Sequence, residues 1–193
     1  MLSDTLFPLD PLYPEGFYYE PHFITAEEEK ELLAVVTGME LRPMLFQGYE
    51  AKRKVASFGY DWSFEHRKLS KGKDIPAAFE ALMAKVARQL SLAKEDFVEL
   101  LVTEYTEGSV INWHRDAPPF ALIAGISLLS DCIFRLRPHE KEKQTRKAII
   151  SLPVHRRSLY YMQGPARSEW QHSITPVKET RYSITLRTLA KPV

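Results

Sequence analysis

His114 and Asp116 lie two positions apart at the end of residues 110–116, a stretch that reads as a β-strand. Successive side chains on a strand point to opposite faces, so these two project the same way, about 6–7 Å apart along the chain. An imidazole and a carboxylate so placed can ligate one ion. A His-x-Asp pair occurs by chance in many proteins, and alone it is better explained as a surface strand end with a local hydrogen bond. A third ligand changes its weight. His172, 58 positions after His114 on another candidate strand, offers a second imidazole. Two imidazoles and one carboxylate on one face are the ligand set of non-haem Fe(II) centres that activate oxygen, with three octahedral positions left for a co-substrate and O2. The other histidines, His22, His66, His139 and His155, read as surface residues.

A second chemical signal is the run Arg181-Tyr182-Ser183-Ile184-Thr185-Leu186-Arg187. It alternates strictly: Tyr182, Ile184 and Leu186 are core-like, and Arg181, Ser183, Thr185 and Arg187 share the other face. The two guanidiniums stand about 20 Å apart on a regular strand. A planar guanidinium binds a carboxylate in bidentate fashion, which is how a small diacid would be gripped. An edge strand with solvated arginines is the plainer alternative.

The elements that must position these residues divide in two. Thr25 and Glu28 form a capping box ahead of Leu32, Leu33, Val35 and Val36, which predicts a helix of about three turns ending near Gly38. Asp74 and Pro76 open a second helix, with Phe79, Leu82, Met83, Val86 and Leu90 on its buried face. Beyond residue 97 the helical period gives way to short strand candidates at 98–106, 110–116, 121–129, 131–137, 147–152, 158–163, 171–174 and 181–189. The expectation is an α+β domain whose β part is a sandwich or barrel. Residues 1–24, rich in Pro and aromatics, read as an extended arm over the core. Between the helices, Phe46-Gln47-Gly48-Tyr49 reads as strand and turn and Lys52-Arg53-Lys54 as a compact basic run. Phe58, Tyr60 and Trp62 would share one face of an extended segment.

Composition narrows the classes. The 193 residues suit one domain, and 45% hydrophobic with 26% charged content is ordinary for a globular protein. No apolar run is long enough for a membrane span, and the N-terminus lacks a signal-peptide pattern. Cys132 is the only cysteine, which excludes an internal disulfide and a Cys-based zinc site, and a cytoplasmic location is expected. Net charge is +1, but residues 1–50 hold ten acidic and two basic side chains, whereas residues 51–193 hold 15 acidic and 24 basic. That split fits an anionic partner, or simply two differently solvated faces.

Taken together, His114-Arg115-Asp116, the distal His172 and the Arg181–Arg187 strand resemble the AlkB family of Fe(II)/2-oxoglutarate-dependent dioxygenases. The resemblance extends to Glu104-Tyr105-Thr106-Glu107-Gly108 and Trp170-Gln171-His172-Ser173-Ile174, and covers roughly residues 15–190. It implies a double-stranded β-helix (jelly-roll) core over 1–193, N-terminal helices buttressing one sheet, and a nucleotide-recognition lid at 46–73. It implies His114, Asp116 and His172 as Fe(II) ligands. Arg181 and Tyr105 would hold the distal carboxylate of 2-oxoglutarate, and Arg187 would lie near the other carboxylate and Asp116. Thr103 and Ser183 stand where the family often has Asn; both keep a hydroxyl, with altered reach and donor count.

The activity implied is oxidative demethylation of N-alkylated bases in DNA or RNA, as in DNA repair, with release of formaldehyde, succinate and CO2. Phe58, Tyr60 and Trp62 would stack on a flipped base, and Lys52, Arg53 and Lys54, with Arg67 and Lys68, would meet phosphates. Otherwise these aromatics fill core and the cations are solvated. Lys141, Lys143, Arg146, Lys147, Arg156 and Arg157 read as an ordinary hairpin surface. The same oxygenase chemistry on a protein side chain or small molecule is the alternative, and a jelly-roll binding module without turnover a further one. The chain is expected to act as a monomer, away from membranes.

Overall fold

The computed structural model describes residues 13–46, 49–63 and 66–190. Residues 1–12 of the expected arm, 47–48 of the expected turn and 64–65 of the expected lid lie outside the described residues.

The first described strand, β1 (Phe17–Glu20), lies along the edge of a sheet, so part of the arm is built into the fold. Helix α1 (Ala26–Thr37) starts with the capping box: the Thr25 hydroxyl accepts from the Glu28 amide, and the Glu28 carboxylate accepts from the Thr25 amide. It stops at Gly38, whose φ of −83° is right-handed. Strands β2 (Arg42–Phe46) and β3 (Tyr49–Ser63) pair antiparallel, and β4 (Lys68–Lys71) folds back on the far half of β3. A 3-10 turn at Ala77–Phe79 leads into α2 (Glu80–Gln89). Asp74 does not cap this helix as expected. The 3-10 turn moves the helix start downstream, beyond its reach, and its carboxylate meets Lys71 at 3.3 Å on the surface instead.

The remaining strands are β5 (Phe97–Tyr105), β6 (Ile111–His114), β7 (Phe120–Leu128), β8 (Cys132–Pro138), β9 (Ile150–Val154) and β10 (Leu159–Met162). The short helix α3 (Gly164–Ser168) then precedes β11 (Trp170–Ile174) and β12 (Arg181–Leu189). They form a large sheet in the order β1-β10-β7-β12-β5-β3-β2, with β4 on β3, and a small sheet in the order β6-β11-β8-β9. All pairings are antiparallel. This is the jelly-roll, double-stranded β-helix arrangement, with the N-terminal helices packed on one sheet.

Two hydrophobic layers follow from period-2 alternation. Leu100, Val102, Ala124, Ile126, Tyr182, Ile184 and Leu186 of the large sheet face α1 and α2, meeting Leu32, Val36, Leu82, Met83 and Val86. The opposite face meets the small sheet through Tyr105, Ile123, Tyr160 and Met162 against Phe134, Leu136, Leu152 and Ile174. Burying this apolar surface is the main stabilising term. Gly125 makes the second layer possible: a Cβ there would lie 2.3 Å from the Tyr160 ring. The β7–β8 turn is tied to α1 by Glu29, 1% exposed, which accepts from the Leu129 amide at 2.9 Å and pairs with Arg156 at 2.5 Å. Arg156 and Arg157, expected on an ordinary surface hairpin, therefore flank a buried carboxylate.

Candidate metal centre

β12 is a central strand, between β7 and β5, so the solvated-edge alternative does not hold. Arg181 lies opposite Tyr105 and Ser183 opposite Thr103 on β5. Their side chains, like Arg187, point into the roll, while the even-numbered partners Tyr182, Ile184 and Leu186 point at the helices. The small sheet brings its ligand strands together directly: His172 on β11 pairs with His114 on β6, their rings 4.2 Å apart. Asp116, just past the end of β6, reaches the same point. Ligand atoms of His114, Asp116 and His172 all lie within 4.8 Å of one another.

The donor chemistry of this group suits a metal ion. The His114 Nδ1–H donates to the Asn112 carbonyl at 2.8 Å, which leaves Nε2 with its lone pair directed away from the backbone. His172 stacks on Phe134 with ring centroids 5.3 Å apart, and its Nε2 lies 3.5 Å from Asp116 Oδ2. Burial and the neighbouring His114 push its pKa down to about 3, so it is the neutral, ligating form. Burial alone would raise the Asp116 pKa, but Arg187, His172 and His114 together hold it well below the usual carboxylate range. Oδ1 of Asp116 accepts from Arg187 Nη2 at 2.8 Å, whereas its buried Oδ2 has no hydrogen-bond donor. A buried carboxylate oxygen without a donor is costly, and a cation between the two imidazoles removes that cost.

A second set of unpartnered groups lies on β12. Arg181 is 0% exposed; its Nε donates to Ser127 Oγ at 3.0 Å and its guanidinium lies 4.9 Å from the centre of the Tyr105 ring. Its Nη1 and Nη2 have no acceptor. A guanidinium held so deep, with its bidentate edge free, fits an anionic ligand inside the roll.

A family model described as the 2OG-Fe(II) oxygenase superfamily matches residues 16–187. The chain belongs to that superfamily. Among curated relatives, this oxygenase is 27% identical over 177 residues to the mouse tRNA (carboxymethyluridine(34)-5-O)-methyltransferase ALKBH8, covering 86% of this chain and 25% of the relative. It is 25% identical over 175 residues to the Xenopus tropicalis protein of the same name, covering 88% of this chain and 27% of the relative. The chain thus spans about a quarter of the length of these relatives. Among solved structures, that of OsALKBH1 superposes with a TM-score of 0.70 at 14% identity, over 94% of this chain and all of the other. A Pseudomonas putida prolyl-4-hydroxylase superposes with a TM-score of 0.64 at 17% identity, over 91% and 93%. Both likenesses concern the fold.

The expected lid residues are less united than their spacing suggests. Phe58, Tyr60 and Trp62 do not share a face. Gly59, at φ 84° with its amide bonded to the Lys73 carbonyl, breaks the alternation of β3. Phe58 consequently packs on the helix-side core, Trp62 with Leu69 packs on the interior of the roll, and Tyr60 is exposed. The basic run divides as well. Lys54 meets Glu104 at 3.5 Å and Lys52 is exposed, whereas the half-buried Arg53 lies next to Tyr105 and donates to Met44 Sδ at 2.8 Å.

Two residues of the centre were not picked out in the sequence. Glu99, 3% exposed, accepts from Arg187 Nη1 at 2.9 Å, so Arg187 is clamped between Glu99 and Asp116. Burial raises the Glu99 pKa. Its signal was present: Glu99, Leu101, Thr103 and Tyr105 alternate on one face of β5. Arg167 on α3 donates to the Asp116 and Ala117 carbonyls, at 2.9 and 2.5 Å, and fixes the loop that carries Asp116. Nothing in its local sequence marks that contact 50 positions away.

Proposed function

We propose that this oxygenase removes N-linked methyl groups from bases of single-stranded RNA or DNA, with 2-oxoglutarate as co-substrate. The observation that carries the substrate class is Trp62, turned into the roll from the β3–β4 hairpin on the same side as the metal centre. A partly buried indole on the interior layer that also holds Phe134, the residue stacked on His172, would offer a stacking platform for a base taken out of its strand. The mouse and frog relatives, each a tRNA methyltransferase by name, support the nucleic-acid reading and favour RNA.

The chain's own residues take distinct parts. His114, Asp116 and His172 would hold Fe(II). Arg181 would receive the distal carboxylate of 2-oxoglutarate through Nη1 and Nη2, beside the Tyr105 hydroxyl, with Thr103 and Ser183 lining the floor between them. Arg187 fixes the Asp116 carboxylate so that one oxygen faces the metal. Phe134 and Tyr160 keep water from the wall behind His172 and Arg181. Iron and 2-oxoglutarate, when bound, would supply an oxidation that consumes O2, converts 2-oxoglutarate to succinate and CO2, and releases the methyl group as formaldehyde.

The test is Fe(II)-loaded protein with 2-oxoglutarate, air and a single-stranded oligonucleotide carrying 1-methyladenine or 3-methylcytosine. Equal amounts of formaldehyde and succinate are expected. Succinate without formaldehyde would retain the oxygenase and reject this substrate, moving the assignment to a protein side chain or a small molecule.

A further inference from the structure

The small sheet has a second face, behind the metal ligands. Trp113 immediately precedes His114 on β6, so its side chain leaves the opposite side of that strand. The indole reaches across β11 to the outer face of β8. There the guanidinium carbons of Arg135 and Arg137 lie 4.8 and 4.5 Å from its ring centre. Each arginine is pinned from below by the β11 residue opposite it: Arg135 Nε donates to Ser173 Oγ at 3.0 Å, and Arg137 Nε donates to Gln171 Oε1 at 2.7 Å.

This arrangement is unusual for a purely structural brace. Two cations packed on one indole repel each other, and a carboxylate would tie either of them more strongly than the neutral acceptors found here. Among the described residues, no carboxylate forms a salt bridge with Arg135, Arg137 or Arg115. The pinning uses Nε in both side chains and leaves both Nη groups available. Residues i and i+2 of a strand stand about 7 Å apart, so the two forks form a preset pair with fixed orientation and little side-chain entropy left to lose.

The location connects this pair to the metal-ligand group. β6 is the edge strand of the small sheet. At its end, beside Asp116, the exposed Arg115 is held by its Nη1 donating to the Ser168 carbonyl at 2.6 Å. Arg115, Trp113, Arg137 and Arg135 thus run from the rim of the metal site over the sheet edge and across its outer face. Past Pro138 the chain continues with Lys141, Arg146 and Lys147.

We propose that Arg135 and Arg137, set on Trp113, bind successive phosphates of the single-stranded nucleic acid whose methylated base meets the metal centre. This rests on the nucleic-acid reading above and adds a place for the flanking nucleotides, on the back of the strand that carries a metal ligand. The partner is a phosphodiester chain rather than a lone anion, because the groups form a line and not a pocket.

The experiment is anisotropy of fluorescein-labelled oligouridylate and oligothymidylate 12-mers against salt concentration. It compares the full chain with Arg135→Gln/Arg137→Gln and Arg135→Lys/Arg137→Lys. Each single-strand phosphate contact contributes about 0.7 to the slope of log affinity against log salt. The Gln pair is expected to lower the slope by roughly 1.4 and the low-salt affinity by about tenfold, and the Lys pair to keep the slope. Melting temperature and 2-oxoglutarate affinity of both variants should match the parent. A parent that binds both oligonucleotides with a salt slope unaltered by the Gln pair would overturn the tract and leave the demethylase standing. Equal loss in the Lys pair with a lowered melting temperature would show a sheet brace and overturn it too. A parent with no salt-dependent binding would overturn both the tract and the nucleic-acid reading. A slope change for only one of the two 12-mers would support the tract and decide between RNA and DNA.

Discussion

Replacing Arg181 with Met separates a ligand-binding arginine from a structural one. Met keeps most of the length of the stem and removes the charge that lies over the Tyr105 ring. In the ligand-free protein that charge is fully buried, with two NH2 groups lacking acceptors and a single bond from Nε to Ser127. Exchanging a buried, incompletely paired ion for an apolar side chain is neutral or stabilising by about 1–4 kcal/mol. The ligand-free variant should therefore melt no lower than the parent. Binding moves the other way. Two charge-assisted hydrogen bonds to a carboxylate are worth about 1.5–3 kcal/mol each. Their loss weakens 2-oxoglutarate roughly 10²–10⁴-fold, at 1.4 kcal/mol per tenfold. The assay is anaerobic thermal melting of Fe(II)-loaded protein with and without 2-oxoglutarate. At 100 times its Kd the ligand stabilises the parent by about 2.7 kcal/mol, a rise of roughly 5–10 °C for a chain of this size. The same concentration should not shift the variant. A ligand-free variant that melts more than about 5 °C lower, yet still responds to 2-oxoglutarate as the parent does, would refute the reasoning.

Four other outcomes follow from named contacts. Trp62→Ala should weaken binding of a methylated oligonucleotide by about 1–3 kcal/mol, the worth of one stacked base, measured well below the melting temperature of the variant. Phe58→Ala should leave that binding unchanged and lower stability by about 2–3 kcal/mol through its place against the helix-side core; equal effects of the two on binding would contradict their opposite orientations. Glu29→Ala should cost about 3 kcal/mol in a denaturant titration, since Arg156 and the Leu129 amide lose a buried carboxylate; a change under 1 kcal/mol would show that this cluster does not hold the β7–β8 turn. Glu28→Gln tests the capping box against pH. The bond from Lys85, then that from the Thr25 amide, lowers the Glu28 pKa below its ordinary 4.5. Its ionic contribution is therefore full above that value and lost as pH falls through the lower folded one. The melting difference between parent and variant should be present at pH 7 and shrink as the solution is acidified below the ordinary glutamate range, whereas a difference independent of pH would mean the carboxylate charge is irrelevant.

The metal centre was legible because its residues obey simple periodicities. His114 and Asp116 were linked by an expected period 2 although the strand stops at His114 and Asp116 reaches the same point from the loop beyond it, and the strict alternation of 181–187 separates core from ligand side without knowledge of neighbours. Helix α1 was equally plain, since Thr25 and Glu28 form a local signal and bond each other. What escaped depends on long-range placement. The 15-residue strand β3 was hidden by three consecutive cations and by Gly59, whose positive φ rotates the second half of the strand. That one residue explains why three aromatics at even spacing end in three different environments. Arg167 joins helix α3 to the loop after β6, and the Trp113 stack joins β6 to β8, so no window of sequence contains either. Asp74 misled because a good cap residue has no effect when a 3-10 turn delays the helix.

The reading turns on His114, Asp116 and His172 holding iron that oxidises 2-oxoglutarate. The most direct measurement is succinate formation from 2-oxoglutarate in air by protein shown to hold one equivalent of Fe(II), with Asp116→Ala alongside. Iron-dependent succinate is expected from the parent and none above background from the variant, with the fold retained in both by circular dichroism. No succinate from the iron-loaded parent, or undiminished succinate from Asp116→Ala, would contradict it.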